Sequence, residues 1–265
     1  MYGFAYHRPT SLQQLKHLLG SIEEARLLAG GQTLIPTLKQ RLASPDALID
    51  LKGIAGMASI DRAGDAIVVG ALATHAAVAG SPLLRKAIPA LAGLADGIGD
   101  PQVRNRGTLG GSVANNDPAA DYPAALVGLG ATIVTTERRI AADDFFLRMF
   151  ETDLEPGEIV TAVSFPIPRR AAYVKFPSPA SRYAIVGVFV AETTAGVRVA
   201  VTGAGPCVFR LKEAEPALDR SFAPESLAGL HVSAAGLNSD IHAGAPYRAH
   251  LTSVIAKRAV QAALA

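Results

Sequence analysis

The sequence predicts a soluble, cytoplasmic protein that combines helices with sheets, in the α/β or α+β class. The chain has 265 residues, 49% of them hydrophobic, which is enough for one large core or two modest ones. Short apolar strands alternate with helical periodicity up to about residue 168, and three strands then follow one another. The apolar runs, such as "AIVGVFVA" at 184–191, are far shorter than the roughly 20 residues of a membrane span.

The charge balance and the cysteine count exclude several functions. Lys and Arg total 25 against 23 for Asp and Glu, so no basic excess argues for nucleic acid or an anionic membrane as a partner. Cys207 is the only cysteine, which excludes an internal disulfide and a cysteine-ligated iron–sulfur cluster built by this chain alone. The first residues lack a charged segment followed by an apolar one, so we expect no secretory signal.

Hydrophobic periodicity predicts the elements of the first 168 residues. Ser11 with Gln14 fits a capping box for a short helix that ends at Gly20. Further helices are predicted where apolar residues recur at helical spacing, at 34–42 and 83–94. Short apolar runs predict strands at 25–28, 47–51, 65–74, 131–136 and 158–168.

A domain boundary is predicted at Pro166 and Pro168, which two arginines follow. It separates residues 1–169 from residues 170–265. Beyond it, the segments "AYVKF", "AIVGVFVAET" and "GVRVAVTGAG" predict an antiparallel meander of three strands. The last segment has apolar residues on one face and Arg248 among its polar positions, which predicts a terminal helix.

Two adjacent glycines, Gly30 and Gly31, join the strand at 25–28 to the helix that follows Thr33. Glycine lets a ligand approach the backbone closely, and exposed N–H groups at a helix start attract an anion. Gln32 and Thr33 add side-chain hydrogen-bonding capacity at the same place. When the junction is taken alone, an ordinary tight turn between strand and helix explains it better than a ligand site does.

A second glycine stretch, "RNRGTLGGSVANNDPAADYPAAL" at 104–126, strengthens the case for a ligand. Its glycines Gly110 and Gly111 stand beside hydroxyl residues, and two carboxylates, Asp117 and Asp121, follow. Two such loops, both donating from the backbone, would bind a diphosphate from opposite sides, and Asp121 would accept hydrogen bonds from sugar or ribityl hydroxyls. Asp117 has a structural alternative, as the cap of a helix that starts at Pro118. Neither stretch fits the Rossmann or P-loop pattern.

These motifs identify a resemblance. "LLAGGQTLIPTLKQRLASPDALIDL" together with "VRNRGTLGGSVANNDPAADYPAAL" resembles the FAD-binding medium subunits of molybdenum hydroxylases, the group of carbon monoxide dehydrogenase, xanthine dehydrogenase and aldehyde oxidoreductase. The similarity spans nearly the whole chain. It implies an α+β fold: a p-cresol methylhydroxylase/vanillyl-alcohol-oxidase type FAD domain with subdomains at about 1–53 and 54–169. A small domain at 170–265, with a three-stranded antiparallel sheet and helices, would follow.

The resemblance also implies site residues, with FAD lying between the domains. The diphosphate contacts would come from both glycine loops, and the carboxylates would lie near the sugar or ribityl hydroxyls. Lys175 would lie at the polar edge of the isoalloxazine ring, Tyr183 would stack near the ring, and Val160 would form an apolar wall. In full, the implied cofactor-binding residues are Ala29, Gly30, Gly31, Gln32, Thr33, Leu34, Ile35, Thr108, Gly110, Gly111, Ser112, Asp117, Asp121, Val160, Lys175 and Tyr183.

A subunit of this kind implies electron transfer rather than substrate oxidation. A large partner with molybdopterin would oxidise the substrate, and a small partner with iron–sulfur clusters would pass the electrons to FAD, usually in a dimer of heterotrimers. The alternatives are a self-sufficient flavin oxidase or dehydrogenase and an assembly subunit without flavin. The histidines, such as His75 and His250, are scattered and fit no zinc site, so we expect surface or hydrogen-bonded structural positions for them.

Overall fold

The computed structural model describes residues 1–265. A three-stranded parallel sheet opens the chain, with Ala47–Asp50 between Ala5–His7 and Ala25–Leu28. Helices Leu12–Ser21 and Leu34–Lys39 and the 3-10 turn Leu51–Gly53 accompany it. Ser11 caps the first helix by accepting from Gln14 N, as predicted. The Gln14 side chain, however, accepts from Thr10 N at 2.8 Å rather than from Ser11 N.

A five-stranded antiparallel sheet forms the next layer. Its strands run in the order Ile60–Ala63, Ala66–Gly70, Val160–Pro166, Thr132–Thr135 and Arg139–Ala141. Seven helices lie between its strands along the chain: His75–Gly80, Pro82–Ala87, Pro89–Asp96, Pro101–Arg104, Leu109–Asn115, Tyr122–Leu129 and Ala142–Phe145. A small hairpin, Phe146–Arg148 with Glu151–Thr152, completes this part.

The predicted helix at 83–94 is wrong in one respect, because it is two helices. Ile88 leaves the helical region with φ −140° and ψ 67°, and Pro89 then starts the second helix. A proline disfavours helical geometry in the residue before it and lacks the N–H that would continue the hydrogen-bond pattern. The break is therefore encoded by Pro89.

The C-terminal part contains four strands rather than the predicted three. Arg170–Pro177, Ala184–Thr193 and Gly196–Thr202 form the predicted meander, and the two-residue strand Phe209–Arg210 adds to its edge. Helix Glu215–Arg220, the 3-10 turn Pro224–Leu227 and helix Ala245–Leu264 follow.

The strand Ala184–Thr193 is buried on both faces. Phe189 and Ala191 belong to the large N-terminal core, whereas Val186, Val188 and Val190 belong to the C-terminal core. The period of two therefore divides one strand between two cores. Gly128 of helix Tyr122–Leu129 allows the close approach, since a Cβ there would lie 2.8 Å from the Phe189 ring.

One predicted polar position of the last helix, Arg248, is buried. Arg248 is 3% exposed, and its guanidinium donates to Ile185 O at 2.6 Å and Gly203 O at 2.9 Å and pairs with Asp240 at 2.7 Å. The predicted polar position is therefore a buried anchor between the helix and the sheet.

None of the helices is both long enough and apolar enough to cross a membrane.

Candidate functional site

A cavity of about 740 Å³ is lined by residues from both halves of the chain. Most of its wall comes from residues 26–34, 71–75, 98–121, 154–160 and 180–183. Its size falls within the usual range for a small-molecule or cofactor site, about 300–1,000 Å³. No group of three or more His, Cys, Asp or Glu side chains is arranged to hold a metal ion.

The first glycine loop supplies a row of unused hydrogen-bond donors. The backbone N–H groups of the five residues from Gly30 to Leu34 donate to no backbone or side-chain acceptor, and the first loop amide to do so is Ile35 N, which bonds to Gly31 O. Gly31 has φ 73°, which a side chain rarely tolerates and glycine adopts freely. Thr33 makes no side-chain cap, so the start of helix Leu34–Lys39 also stays open. Consecutive free amides at a helix start form an anion site.

The two glycine loops touch each other through backbone atoms. A Cβ on Gly30 would lie 2.3 Å from Arg106 O and 2.7 Å from the Gly107 Cα. A Cβ on Gly111 would lie 3.8 Å from the Ala29 Cβ. The two loops therefore lie side by side at the cavity, and Gly30 is the residue that permits the contact.

The second loop differs from the prediction, because most of its amides already have partners. Thr74 and Thr108 form an isolated antiparallel β-bridge. Next to this bridge, Gly110 N donates to Ala71 O at 2.8 Å. Gly111 N donates to the Thr108 hydroxyl at 3.2 Å. A Cβ on Gly110 would lie 2.5 Å from the Ala71 Cβ. Gly110 therefore serves close packing behind the cavity, and the free donors are concentrated in the first loop.

Asp121 lies in the cavity wall as part of a buried polar cluster. Its side chain is 5% exposed, Lys175 Nζ lies 3.0 Å from Oδ2, and the Tyr173 hydroxyl donates to Oδ1. Burial raises the pKa of Asp121, and the Lys175 ammonium and the Tyr173 hydrogen bond oppose that rise. Lys175 also donates to Gly97 O at 2.9 Å. The cluster joins strand Arg170–Pro177 to the start of helix Tyr122–Leu129.

Asp117 caps no helix at Pro118, because that helix does not form. Residues 117–120 make a turn in which the Asp117 carboxylate accepts from Ala119 N at 2.8 Å, and the helix starts only at Tyr122. Both Asp117 and Asp121 line the cavity and raise the pKa of the nearby Tyr183 phenol, for which burial is the larger cause. Arg182, beside Tyr183, donates to Gly99 O at 3.2 Å and so ties the 180–183 turn to the N-terminal half.

Fourteen of the sixteen residues predicted for the site line this one cavity, and two do not. Ile35 lies beneath the first loop, where its Cγ1 would be 2.9 Å from a Cβ on Gly31. Lys175 is 13% exposed, is not part of the cavity lining, and bonds to the lining residue Asp121. Its ammonium is therefore placed behind the wall rather than on it. Val160 and Tyr183 both line the cavity.

His75 is neither at the surface nor satisfied by hydrogen bonds, so the prediction for it is wrong. Its side chain lines the cavity, the residue is 5% exposed, and the ring Nδ1 has no hydrogen-bond partner. Burial, and secondarily the Arg104 charge, lowers its pKa to about 4. The sequence held one signal for this position. Thr74 and Thr108 each cap a helix that starts at the next residue, so the segment 74–75 resembles the second glycine loop at 108–109.

Glu158 is a second lining residue that the sequence reasoning missed. Its side chain is 1% exposed and accepts from Arg138 Nε at 3.1 Å and from the Thr135 hydroxyl at 2.6 Å. The Arg138 hydrogen bonds hold its pKa at about 2. No local sequence motif predicts this ion pair, because Arg138 and Glu158 lie on separate segments and meet only in the folded chain.

Comparisons with known proteins agree with this architecture. The family described as FAD binding domain in molybdopterin dehydrogenase matches residues 2–168. The nicotine 6-hydroxylase medium subunit of Paenarthrobacter nicotinovorans is 36% identical over 269 residues. The match covers 96% of this chain and 95% of that subunit. The carbon monoxide dehydrogenase medium chain of Afipia carboxidovorans is 35% identical, and the match covers 99% of this chain and 97% of that medium chain.

Solved structures are similar over the same length. Reconstituted CO dehydrogenase from Oligotropha carboxidovorans contains a chain with a TM-score of 0.92 at 34% identity, covering 99% of this chain and 98% of that one. Quinoline 2-oxidoreductase from Pseudomonas putida 86 gives a TM-score of 0.89 at 30% identity, with coverage of 99% and 97%. The α+β fold inferred from the resemblance is confirmed by these matches. This chain belongs to the FAD-binding medium subunits of the molybdenum hydroxylases, the family of carbon monoxide dehydrogenase and xanthine dehydrogenase.

Proposed function

We propose that this chain binds FAD in the described cavity and relays electrons from the iron–sulfur clusters of a small partner subunit to an external acceptor. A large partner with molybdopterin would oxidise the substrate, in a dimer of heterotrimers. The observation that carries the binding site is the run of five unused amides from Gly30 to Leu34 beside the second glycine loop. The single cysteine supports a separate source for the clusters.

The residues present fit FAD in three respects. The free amides and the open helix start suit a diphosphate, which carries negative charge and accepts several hydrogen bonds. Asp121 keeps acceptor capacity for ribityl or ribose hydroxyls, because each carboxylate oxygen has two lone pairs and each has one partner. Val160 and Tyr183 offer apolar and aromatic surface for the isoalloxazine ring.

The chemistry of the relay belongs to the cofactor, which when bound accepts electrons one at a time and releases them to an acceptor. The chain would hold the cofactor in the cavity and fix the charge of the Asp121–Lys175 pair in its wall. Lys175 acts through Asp121, whose buried carboxylate it neutralises and orients. We place the cofactor-binding unit at residues 1–169, in subdomains at about 1–53 and 54–169, and the closing unit at 170–265.

The substrate is set by the molybdenum partner. The relatives at 30–36% identity carry names that refer to carbon monoxide, nicotine and quinoline. Carbon monoxide, aldehydes, purines and N-heterocycles are the candidate classes for this complex, and quinone or NAD the candidate acceptors.

Purification of the full chain with and without its neighbours in the gene cluster tests the proposal. We expect stoichiometric FAD on the isolated chain, no flavin bleaching when candidate substrates are added to it alone, and bleaching when the whole complex is present. Bleaching of the isolated chain by substrate would indicate a self-sufficient oxidase or dehydrogenase. A colourless chain that still assembles with its partners would indicate an assembly subunit.

A further inference from the structure

His75 stands at the junction of the two segments that build the back of the cavity. It is the first residue of helix His75–Gly80, and its backbone N donates to Gly107 O at 3.0 Å. Thr74, the residue before it, pairs with Thr108 of the second glycine loop. The imidazole is 5% exposed and lines the cavity. Backbone contacts on both sides therefore fix the ring against the second loop.

The two ring nitrogens have different surroundings. Nδ1 is enclosed and has no hydrogen-bond partner. A buried N–H without a partner is rarer in proteins than an acceptor without one, so the proton is expected on Nε2. Nε2 lies beside Gly107, which also lines the cavity, and a Cβ on Gly107 would be only 2.5 Å from it. The N–H thus lies at the wall next to the second loop.

The two glycine amides of the second loop already have acceptors within the chain. Gly110 N donates to Ala71 O and Gly111 N to the Thr108 hydroxyl, so neither of these amides is available to a ligand on that side. The first loop, in contact with it through Gly30, has its amides free. An anion bound by the amides of the first loop would lie close to the His75 N–H on the side of the second loop.

The imidazole stays neutral in this position. Burial and the Arg104 charge lower its pKa to about 4, and the Tyr122 ring, 5.3 Å away between centroids, adds no charge. A neutral imidazole has one donor and one acceptor nitrogen, which sets the direction of its hydrogen bond. With Nδ1 enclosed, the only group that it presents to a ligand is the Nε2 donor.

We propose that His75 binds the cofactor directly, by donating a hydrogen bond from Nε2 to a diphosphate oxygen of FAD beside Gly107. The assignment rests on the proposed function, since it presupposes FAD in this cavity. It adds to the glycine loops a side-chain contact that compensates for the engaged amides of the second loop.

Two substitutions that place an amide at different ring positions test the contact. In His75→Gln, the side-chain amide reaches the position of Nε2, whereas in His75→Asn it reaches only that of Nδ1. Hydrogen bonds to charged acceptors contribute about 1.5–3 kcal/mol, which corresponds to about 10- to 150-fold in Kd. We expect His75→Asn to bind FAD at least about tenfold more weakly than the wild type, and His75→Gln to stay within about threefold. His250→Asn, on the exposed side of the last helix, is the matched control and should bind FAD normally.

The affinity is measured by fluorescence titration of the deflavinated full chain with FAD and separately with ADP. ADP carries the diphosphate without the flavin, so His75→Asn should weaken both ligands by a similar factor. Equal FAD affinity in wild type and His75→Asn, or an unchanged affinity for ADP, would overturn the assignment. If the wild type binds no FAD at all, the proposed function fails together with this inference.

A measurement on the wild-type chain covers the case in which His75→Asn does not fold. Nitrogen NMR of the ¹⁵N-histidine-labelled protein reports which ring nitrogen carries the proton. We expect the Nε2–H form of His75 at pH 7 and a shift of its Nε2 resonance when ADP is added. An Nδ1–H form, or an Nε2 resonance that ADP leaves unmoved, contradicts the proposal.

Discussion

Replacement of Gly30 by alanine should separate the two glycine loops. The new Cβ would lie 2.3 Å from Arg106 O and 2.7 Å from the Gly107 Cα, whereas such contacts are normally above 3.0 Å. Both obstructing groups are backbone, so no side chain can rotate to relieve the overlap. A shift of roughly 1 Å between the loops is required, at a cost of about 1–3 kcal/mol in the free energy of unfolding.

The same shift should weaken cofactor binding, because the amides from Gly30 to Leu34 would no longer converge with the second loop. Loss of two charge-assisted hydrogen bonds, at about 1.5 kcal/mol each, corresponds to about a hundredfold increase in Kd. Fluorescence titration of the deflavinated chain with FAD gives the Kd, and urea denaturation without FAD gives the free energy of unfolding.

Gly93→Ala is the matched control for this substitution. Gly93 lies in helix Pro89–Asp96, and a Cβ there would have no atom within 4 Å. Alanine should stabilise this helix by about 0.5–1 kcal/mol and leave the FAD affinity unchanged. If Gly30→Ala behaves like Gly93→Ala in both measurements, the contact between the loops does not position the donors, and the reasoning is refuted.

Three further outcomes follow from the buried charges. Lys175→Met leaves the Asp121 carboxylate buried without its cation, so the free energy of unfolding in urea should fall by about 3–5 kcal/mol, and a fall below about 1 kcal/mol would contradict the ion pair. Glu158 has a folded pKa of about 2 against an ordinary 4.5, so its contribution is complete above about pH 4.5 and is lost as the pH falls towards 2. Because Arg138 is 40% exposed, solvent screening limits this to about 1–2 kcal/mol, and denaturation of Glu158→Gln across that pH window should lack the corresponding loss. His75 has a folded pKa of about 4 against 6.5, so the unfolded chain binds its proton first and stability should fall by about 3 kcal/mol from pH 6.5 to pH 4. In His75→Asn the slope of stability against pH between pH 6.5 and pH 4.5 should become clearly smaller, and an unchanged slope would assign it to other groups.

Local patterns in the sequence predicted much of the fold. The strands at 25–28 and 47–50 and the helix start at Leu34 follow from apolar runs and from the glycine junction. The break at Pro89 was also present in the sequence, because proline inside a helical pattern ends a helix. The edge strand Phe209–Arg210 could not be predicted, since two residues are too few to show a period.

The polar interior of the site was less accessible from the sequence. The glycine loops could be assigned to one cavity through their residue types, whereas Asp121 and Lys175 are 54 positions apart and meet only through the tertiary fold. The same applies to Arg248, which looks like a surface residue of an amphipathic helix but bonds to carbonyls at the ends of two strands. Single-sequence patterns report which side of an element is apolar, but they do not report which polar groups are brought together across elements.

The cavity wall draws on stretches from residue 26 to residue 183, which has a consequence for biosynthesis. The ribosome makes the chain from its N-terminus, so the first glycine loop emerges long before the 180–183 turn that completes the opposite wall. Contacts between such distant segments also form slowly, because their closure entropy must be overcome first. A nascent chain that ends before residue 180 therefore lacks one wall of the cavity, and the complete cavity forms only late in synthesis.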